Sequence, residues 1–233
     1  MMYLKDSYLK EFQTIVKEVN DKNIILEDTI FYPESGGQAC DLGSIFNEKE
    51  EFKVLSVKKD QGKIIHVVDK EGLKINEKVK CVINWERRYK LMRSHTAAHI
   101  LSAIFQKETG ALVTGNQLTP EKIRIDFDLE NPDREKLKKY IEIINEVIKR
   151  DLDVSVYELN RDEVEKSNMS KLAKGLPSSI KVLRIVKIGD VDEQPDAGTQ
   201  VKNTSEIGEL EFLDYETRGK NNKRVYIKLK EKK

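Results

Sequence analysis

The sequence predicts an α+β protein, with a small N-terminal β-barrel domain followed by an α+β core of helices packed on an antiparallel sheet. Three observations predict it. Short runs rich in Ile and Val, separated by turn residues, fill the chain up to residue 84. The texture changes at Trp85, where a stretch free of Gly and Pro runs to Gly110. Beyond it, helical patterns alternate with further strand-like runs, and no low-complexity linker intervenes. The division is placed at residues 1–86 and 87–233.

In the first part, "FQTIVKEVN", "NIILED", "FKVLSVKKD" and "KIIHVVD" partly alternate apolar and polar residues, the period of a half-buried strand. Asn20, Asp21 and Asn23 mark one turn, and Asp60 with Gly62 marks another. "EGLKINEKVKCVIN" continues the pattern. In the second part, "WERRYKLMRSHTAAHILSAIFQKETG" reads as a mostly buried helix with Gly110 as its C-cap. Leu91, Ala98, Leu101, Ile104 and Phe105 share one side of it. A second helix carries the stripe Leu137, Tyr140, Ile141, Ile144, Val147 and Ile148, with Asn131 as cap and Pro132 in the first helical position. A short helix is expected after Asn160. "IKVLRIVKIGD", "GELEFLDYET" and "KRVYIKLK" read as strands, the last two joined by a hairpin-like "RGKNNK".

Composition narrows the class of protein. The 233 residues hold 42 Lys plus Arg against 41 Asp plus Glu, so bulk positive charge is not how the chain would grip nucleic acid. Two cysteines are too few for a disulfide framework and suit a reducing compartment. No apolar run approaches the ~20 residues of a membrane span, and "MMYLKDSYLK" lacks the apolar region of a secretion signal. The expectation is a cytoplasmic protein with no membrane association and no obligatory protein partner.

Three stretches carry chemistry. "MRSHTAAHIL" contains two of the three histidines, His95 and His99. At i and i+4 on a helix both imidazoles can reach one ion. Ordinary core histidines have the same spacing, so the pair alone does not decide. A zinc-protease pattern fails, because Thr96 stands where that pattern needs Glu. His66, in "IIHVV", reads as structural. "DTIFYPESGGQACDLG" places Gly36 and Gly37, which permit unusual backbone angles or close approach, beside Gln38 and Asp41. "EQPDAGTQVKNTSEIG" has the look of a binding loop, with Asp196, Thr199 and Gln200 set among Pro195, Gly198 and Gly208.

In this order, "FYPESGGQACDLG", "HTAAHIL", "GALVTGNQLTPEKIRIDFD" and "DAGTQVKNTSEIG" resemble the editing domain of alanyl-tRNA synthetases and its free-standing relatives, the AlaX proteins of medium length. The resemblance covers nearly the whole chain. It implies a trans-acting deacylase that hydrolyses serine from mischarged tRNA(Ala), with glycine as a second possible leaving amino acid. It also implies that residues 87–233 form the editing domain. The family binds zinc through H-x-x-x-H and a later C-x-x-x-H or D-x-x-x-H. His95 and His99 match the first pair, Asp196 matches the Cys or Asp position, and Gln200 stands where His is usual. His95, His99 and Asp196 would then hold one Zn2+ with open positions, more weakly than a full set.

Thr29 and Gln117 resemble substrate-pocket residues of the family. With Gln38 and Gln200 they form the expected catalytic set, while Gly36, Gly37 and Thr199 are expected to bind substrate. Thr29 is the residue expected to meet the serine side chain. Two rival readings stand beside this one. One is a catalytically impaired tRNA-binding protein that has lost its full zinc site through Gln200. The other is a deacylase for another amino acid, since threonyl-tRNA synthetases carry a related domain.

Overall fold

The computed structural model describes residues 1–130, 133–167, 169, 176–219 and 222–230. It divides into two compact units: Met1–Met92 with Gln117–Pro120, and Arg93–Asn116 with Glu121–Lys233.

In the first unit, β1 (Glu11–Asn20), β2 (Asn23–Leu26), β3 (Gly43–Phe46), β4 (Glu51–Asp60), β5 (Lys63–Val68) and β6 (Lys78–Ile83) close into a barrel of order β1-β2-β5-β4-β3-β6. All six pairings are antiparallel. The alternation read from the sequence is what the barrel uses. Along β6, Val79, Cys81 and Ile83 are buried while Lys78 and Lys80 are exposed. Phe52, Val54 and Val57 of β4 join them in one core with Val16, Ile24, Ile45 and Val68. Closure leaves none of the six strands with an open edge. The short β3 is unexpected. It holds four residues with Ile45 as its buried side chain, too little pattern to be read. A short helix, α1 (Met2–Lys5), precedes the barrel.

The long helix α2 (Trp85–Thr109) ends at the residue before Gly110, as expected. Ala98, expected on its buried side, is half-buried, whereas Ala97 is fully buried. The helix is enclosed on more than one face, with Ser94, His95 and Thr96 also buried, so no single stripe describes it.

The second unit has two antiparallel sheets. β7 (Val113–Leu118), β8 (Ile123–Phe127), β12 (Leu210–Thr217) and β13 (Lys223–Leu229) form one of order β12-β13-β8-β7. β9 (Val154–Asn160), β10 (Val182–Ile188) and β11 (Asp192–Pro195) form the other, of order β11-β10-β9. The helix α3 (Arg134–Lys149) packs on β12. Its buried stripe is Leu137, Ile141, Ile144 and Ile148, with Tyr140 and Val147 at its margins. Asn145 clamps helix to strand, donating to the Leu210 carbonyl at 3.0 Å and accepting from its N–H at 2.8 Å. The cap is Asp133, whose carboxylate accepts from the Glu135 N–H. The expected Asn131 and Pro132 lie outside the described residues. Each buried aliphatic side chain contributes roughly 1.5–3 kcal/mol, against about 1 kcal/mol for a cap, so the stripe rather than the cap sets where the helix forms. A short α4 (Arg161–Glu165) follows Asn160, as read, with Asn160 and Glu163 forming a capping box.

Candidate metal centre

α2 carries His95 and His99 on one face, one turn apart, with ring centroids 5.4 Å apart and planes inclined by 30°. Both are nearly buried. β11 delivers the third group: directly after Pro195 the chain turns, and Asp196 points back at the two rings. Its Oδ1 lies 3.3 Å from His95 Nε2 and its Oδ2 3.9 Å from His99 Nε2. One ligand atom from each of the three residues falls within 4.8 Å of the others. Two imidazole nitrogens and a carboxylate make a donor set suited to zinc.

Other residues hold these three in place. His99 Nδ1 lies 2.7 Å from Asp192 Oδ2, which directs Nε2 toward Asp196. Gln194 donates to the same Asp192 oxygen at 2.9 Å. Arg184 donates to the Asp196 backbone carbonyl at 2.8 Å, and its guanidinium is 3.7 Å from Asp196 Oδ2. The loop needs glycine at 198: a Cβ there would stand 2.0 Å from His95 Cε1 and 2.2 Å from His95 Nδ1. The Gly198 N–H donates to Asp196 Oδ2 at 2.7 Å.

Gln200 is oriented by a neighbour. Thr96 donates its hydroxyl to Gln200 Oε1 at 2.7 Å, and the Val201 N–H reaches Thr96 Oγ1 at 3.2 Å. The Gln200 amide nitrogen therefore faces the site, 3.0 Å from Asp196 Oδ2 and 3.4 Å from His99 Nε2. With its amide nitrogen turned to the site, Gln200 presents N–H donors there rather than a ligand atom in this arrangement.

The electrostatics follow from the packing. Burial disfavours the charged form of Asp196, yet His95 and His99 outweigh it and hold the carboxyl well below the usual range. Burial likewise opposes a charged His99, but Asp192 and Asp196 raise it to about 9.

The remaining residues singled out from the sequence lie in the first unit. Gly36 and Gly37, at φ 58° and 83°, form a two-residue turn closed by the Gln38 N–H on the Ser35 carbonyl at 2.9 Å. The Gly37 carbonyl accepts from Leu118 N–H at 2.7 Å, and Ala39 N–H donates to the Leu118 carbonyl at 3.0 Å. The turn thus sets Gln38 in a parallel bridge with Leu118, beside Gln117. Gln38 is buried and Gln117 exposed. Thr29 is buried; its Oγ1 lies 2.8 Å from His66 Nε2 and 3.0 Å from the Phe31 N–H that donates to it. In the second unit Thr199 is buried between Gly198 and Gln200.

Sequence reasoning missed the supports. Asp192, Gln194 and Thr96 hold His99 and Gln200, and Arg184 holds Asp196. A usable signal existed for Asp192, since metal-binding histidines commonly donate their second nitrogen to a carboxylate. The first unit hides a second such device. Arg88 and Asp41, both fully buried, pair at Arg88 Nε with 3.0 Å to each carboxylate oxygen. Arg88 also donates to the Ser7 carbonyl at 2.8 Å, and Asp41 accepts from Tyr32 N–H at 2.6 Å. This pair pins both ends of the glycine-containing loop.

Comparison with known proteins places the chain. The model for "tRNA synthetases class II (A)" matches residues 3–87. That for "Threonyl and Alanyl tRNA synthetase second additional domain" matches residues 183–226. The "Alanyl-tRNA editing protein AlaX-M" of Methanosarcina barkeri is 44% identical, with 98% of each chain covered. The protein of the same name from Saccharolobus solfataricus is also 44% identical, again with 98% of each chain covered. An alanine–tRNA ligase of Saccharolobus islandicus is 38% identical over 92% of this chain, which spans 25% of that longer protein. With near-complete coverage on both sides and the motifs in the same order, the chain belongs to the AlaX-M family of alanyl-tRNA editing proteins.

Proposed function

We propose that this chain is a trans-acting aminoacyl-tRNA deacylase that hydrolyses the ester between serine and tRNA(Ala). The observation that carries the reading is the convergence of His95, His99 and Asp196 in a chain of this family. The proposed cofactor is one zinc ion, for which these three side chains would be the ligands. When bound, zinc supplies Lewis acidity and a fixed positive charge.

The substrate ester is activated, so positioning does much of the work and a strong nucleophile is unnecessary. Gln200, held by Thr96, turns its amide N–H groups toward the cleft between Asp196 and His99 and can donate to a carbonyl or water oxygen there. Gly198 leaves the His95 ring the room that a Cβ would occupy. On this reading the Gly36–Gly37 turn, Gln38, Gln117 and Thr199 bind the acylated end of the tRNA, and Thr29 meets the serine hydroxyl. A buried polar group that is satisfied by serine and left unpaired by alanine discriminates strongly between the two. The site of action is the cytoplasm. Among the described residues no helix is long and apolar enough to cross a membrane.

The test is zinc content together with hydrolysis of Ser-tRNA(Ala) and Ala-tRNA(Ala), measured on the wild type, His95→Ala and Gln200→His. Zinc near one equivalent, serine-selective hydrolysis, loss of both in His95→Ala and tighter zinc in Gln200→His are expected. A zinc-loaded wild type that leaves Ser-tRNA(Ala) intact would falsify the deacylase assignment.

A further inference from the structure

His66, which the sequence presents as a barrel histidine, sits in a hydrogen-bonded chain that ends on Thr29. Its Nδ1 lies 3.0 Å from the Ile24 carbonyl and its Nε2 lies 2.8 Å from Thr29 Oγ1. A carbonyl oxygen can only accept, so the Nδ1 carries the proton. Burial keeps the ring neutral by pushing its pKa down to about 4. A neutral imidazole has one proton, so Nε2 is a bare acceptor and Thr29 must donate its hydroxyl hydrogen to it. The Phe31 N–H donates to the same hydroxyl oxygen at 3.0 Å. A hydroxyl donates once and accepts twice. Thr29 therefore has no proton left to give and one lone pair left to fill. The site is nearly enclosed, with His66 at 0% and Thr29 at 4% exposure, so that lone pair depends on a partner other than bulk water.

We propose that His66 is a positioning residue for substrate choice: by taking the Thr29 proton it makes Thr29 an obligate acceptor, selective for an aminoacyl group whose side chain donates a hydrogen bond. This rests on the reading that Thr29 meets the amino-acid side chain. Serine fills the lone pair with its hydroxyl proton. Alanine and glycine have no donor and leave it unpaired. The Ile24 carbonyl, anchored in β2, and the Phe31 N–H fix the direction of the chain from both ends.

Two measurements test it. The first is the two-bond 1H–15N spectrum of the histidine rings, with the His66 signals identified by their loss in His66→Phe. A neutral Nδ1–H tautomer at pH 7 is expected. An Nε2–H tautomer overturns the inference whatever the activity. The second is kcat/KM on Ser-tRNA(Ala) and Ala-tRNA(Ala) for the wild type, Thr29→Val, His66→Phe, His66→Gln and the Thr29→Val/His66→Phe double variant. His66→Phe should cut the serine-to-alanine ratio about tenfold, the worth of one lost hydrogen bond. In the Thr29→Val background it should have no further effect on that ratio. His66→Gln, which retains one acceptor and one donor, should restore part of the ratio. If His66→Phe does not fold, His66→Gln and the tautomer spectrum decide. An active wild type with a ratio unchanged by His66→Phe, or changed equally in both backgrounds, overturns this inference alone. A wild type inactive on Ser-tRNA(Ala) overturns the function and the inference together.

Discussion

Gly198→Ala tests the geometry of the proposed metal centre most directly, because the backbone at 198 is not in the left-handed region and the substitution acts through one methyl group. That methyl would stand 2.0 Å from His95 Cε1, where ordinary contact begins at 3.4 Å. The ring, or the loop under it, must retreat by about 1.4 Å, the gap between those two distances. A zinc–nitrogen bond tolerates errors of about 0.2 Å. The displacement is several times larger, so His95 leaves the ligand set. Disturbing a supporting residue typically costs 10–100-fold in metal affinity, and losing a ligand should cost at least the upper figure, about 2.7 kcal/mol. Zinc affinity is measured by competition with a chelator, with circular dichroism and urea unfolding on the metal-free protein as controls. A folded Gly198→Ala protein that binds zinc as tightly as the wild type would refute the proposed part played by His95.

Three further outcomes are expected. Asp192→Ala removes the carboxylate on His99 Nδ1 and should weaken zinc about 10–100-fold with the fold intact; chelator competition reads it, and an unchanged affinity removes Asp192 from the site's support. Arg88→Met removes the partner of the fully buried Asp41, so urea unfolding should show a loss of about 3–5 kcal/mol; a loss under 1 kcal/mol contradicts the pinning role. His66 has a folded pKa of about 4 against 6.5 unfolded, so between those values the unfolded chain takes up a proton that the folded chain refuses. Its contribution is complete above pH 6.5 and is lost as pH falls through 4, on the order of 3 kcal/mol. Unfolding of His66→Gln over the same range should be flatter in pH, and identical slopes argue against a neutral buried ring.

The barrel was legible because its strands alternate. Val79, Cys81 and Ile83 against Lys78 and Lys80 show a period of two without any knowledge of neighbours. α3 was legible for the matching reason at a period of 3.6. β11 was not. "DEQP" has no apolar residue, and it is a strand only because β10 supplies the partner groups, with Ile185 opposite Pro195 and Ile188 opposite Asp192. Pro195 is tolerated there because β11 is an edge strand. β7, with one buried side chain along "VTGNQL", and β9 were missed because their residues are mostly exposed or half-buried. The roles of Arg184 and Arg224 were hidden by the same obstacle. Both are charged residues on strands, and only the packed sheets show Arg184 on Asp196 and Arg224 gripping Asp126 at 2.8 and 2.9 Å.

The sequence by itself determined the ordered motifs and hence the family, the α+β class, and the pairing of His95 with His99, because a helical repeat places residues four apart on one face regardless of what surrounds them. Asp196 was named by its place in the motif order, and only the tertiary structure decided that it reaches both rings and that Asp192 supports His99. Asp196 and Asp192 lie 93 or more positions away from His99 or His95 in the chain, and Ile24, His66 and Thr29 meet across strands of the barrel. Such contacts depend on register and packing between elements, which local composition does not encode. The protonation of a neutral buried ring, and with it the direction in which a hydroxyl points, depends in turn on those contacts.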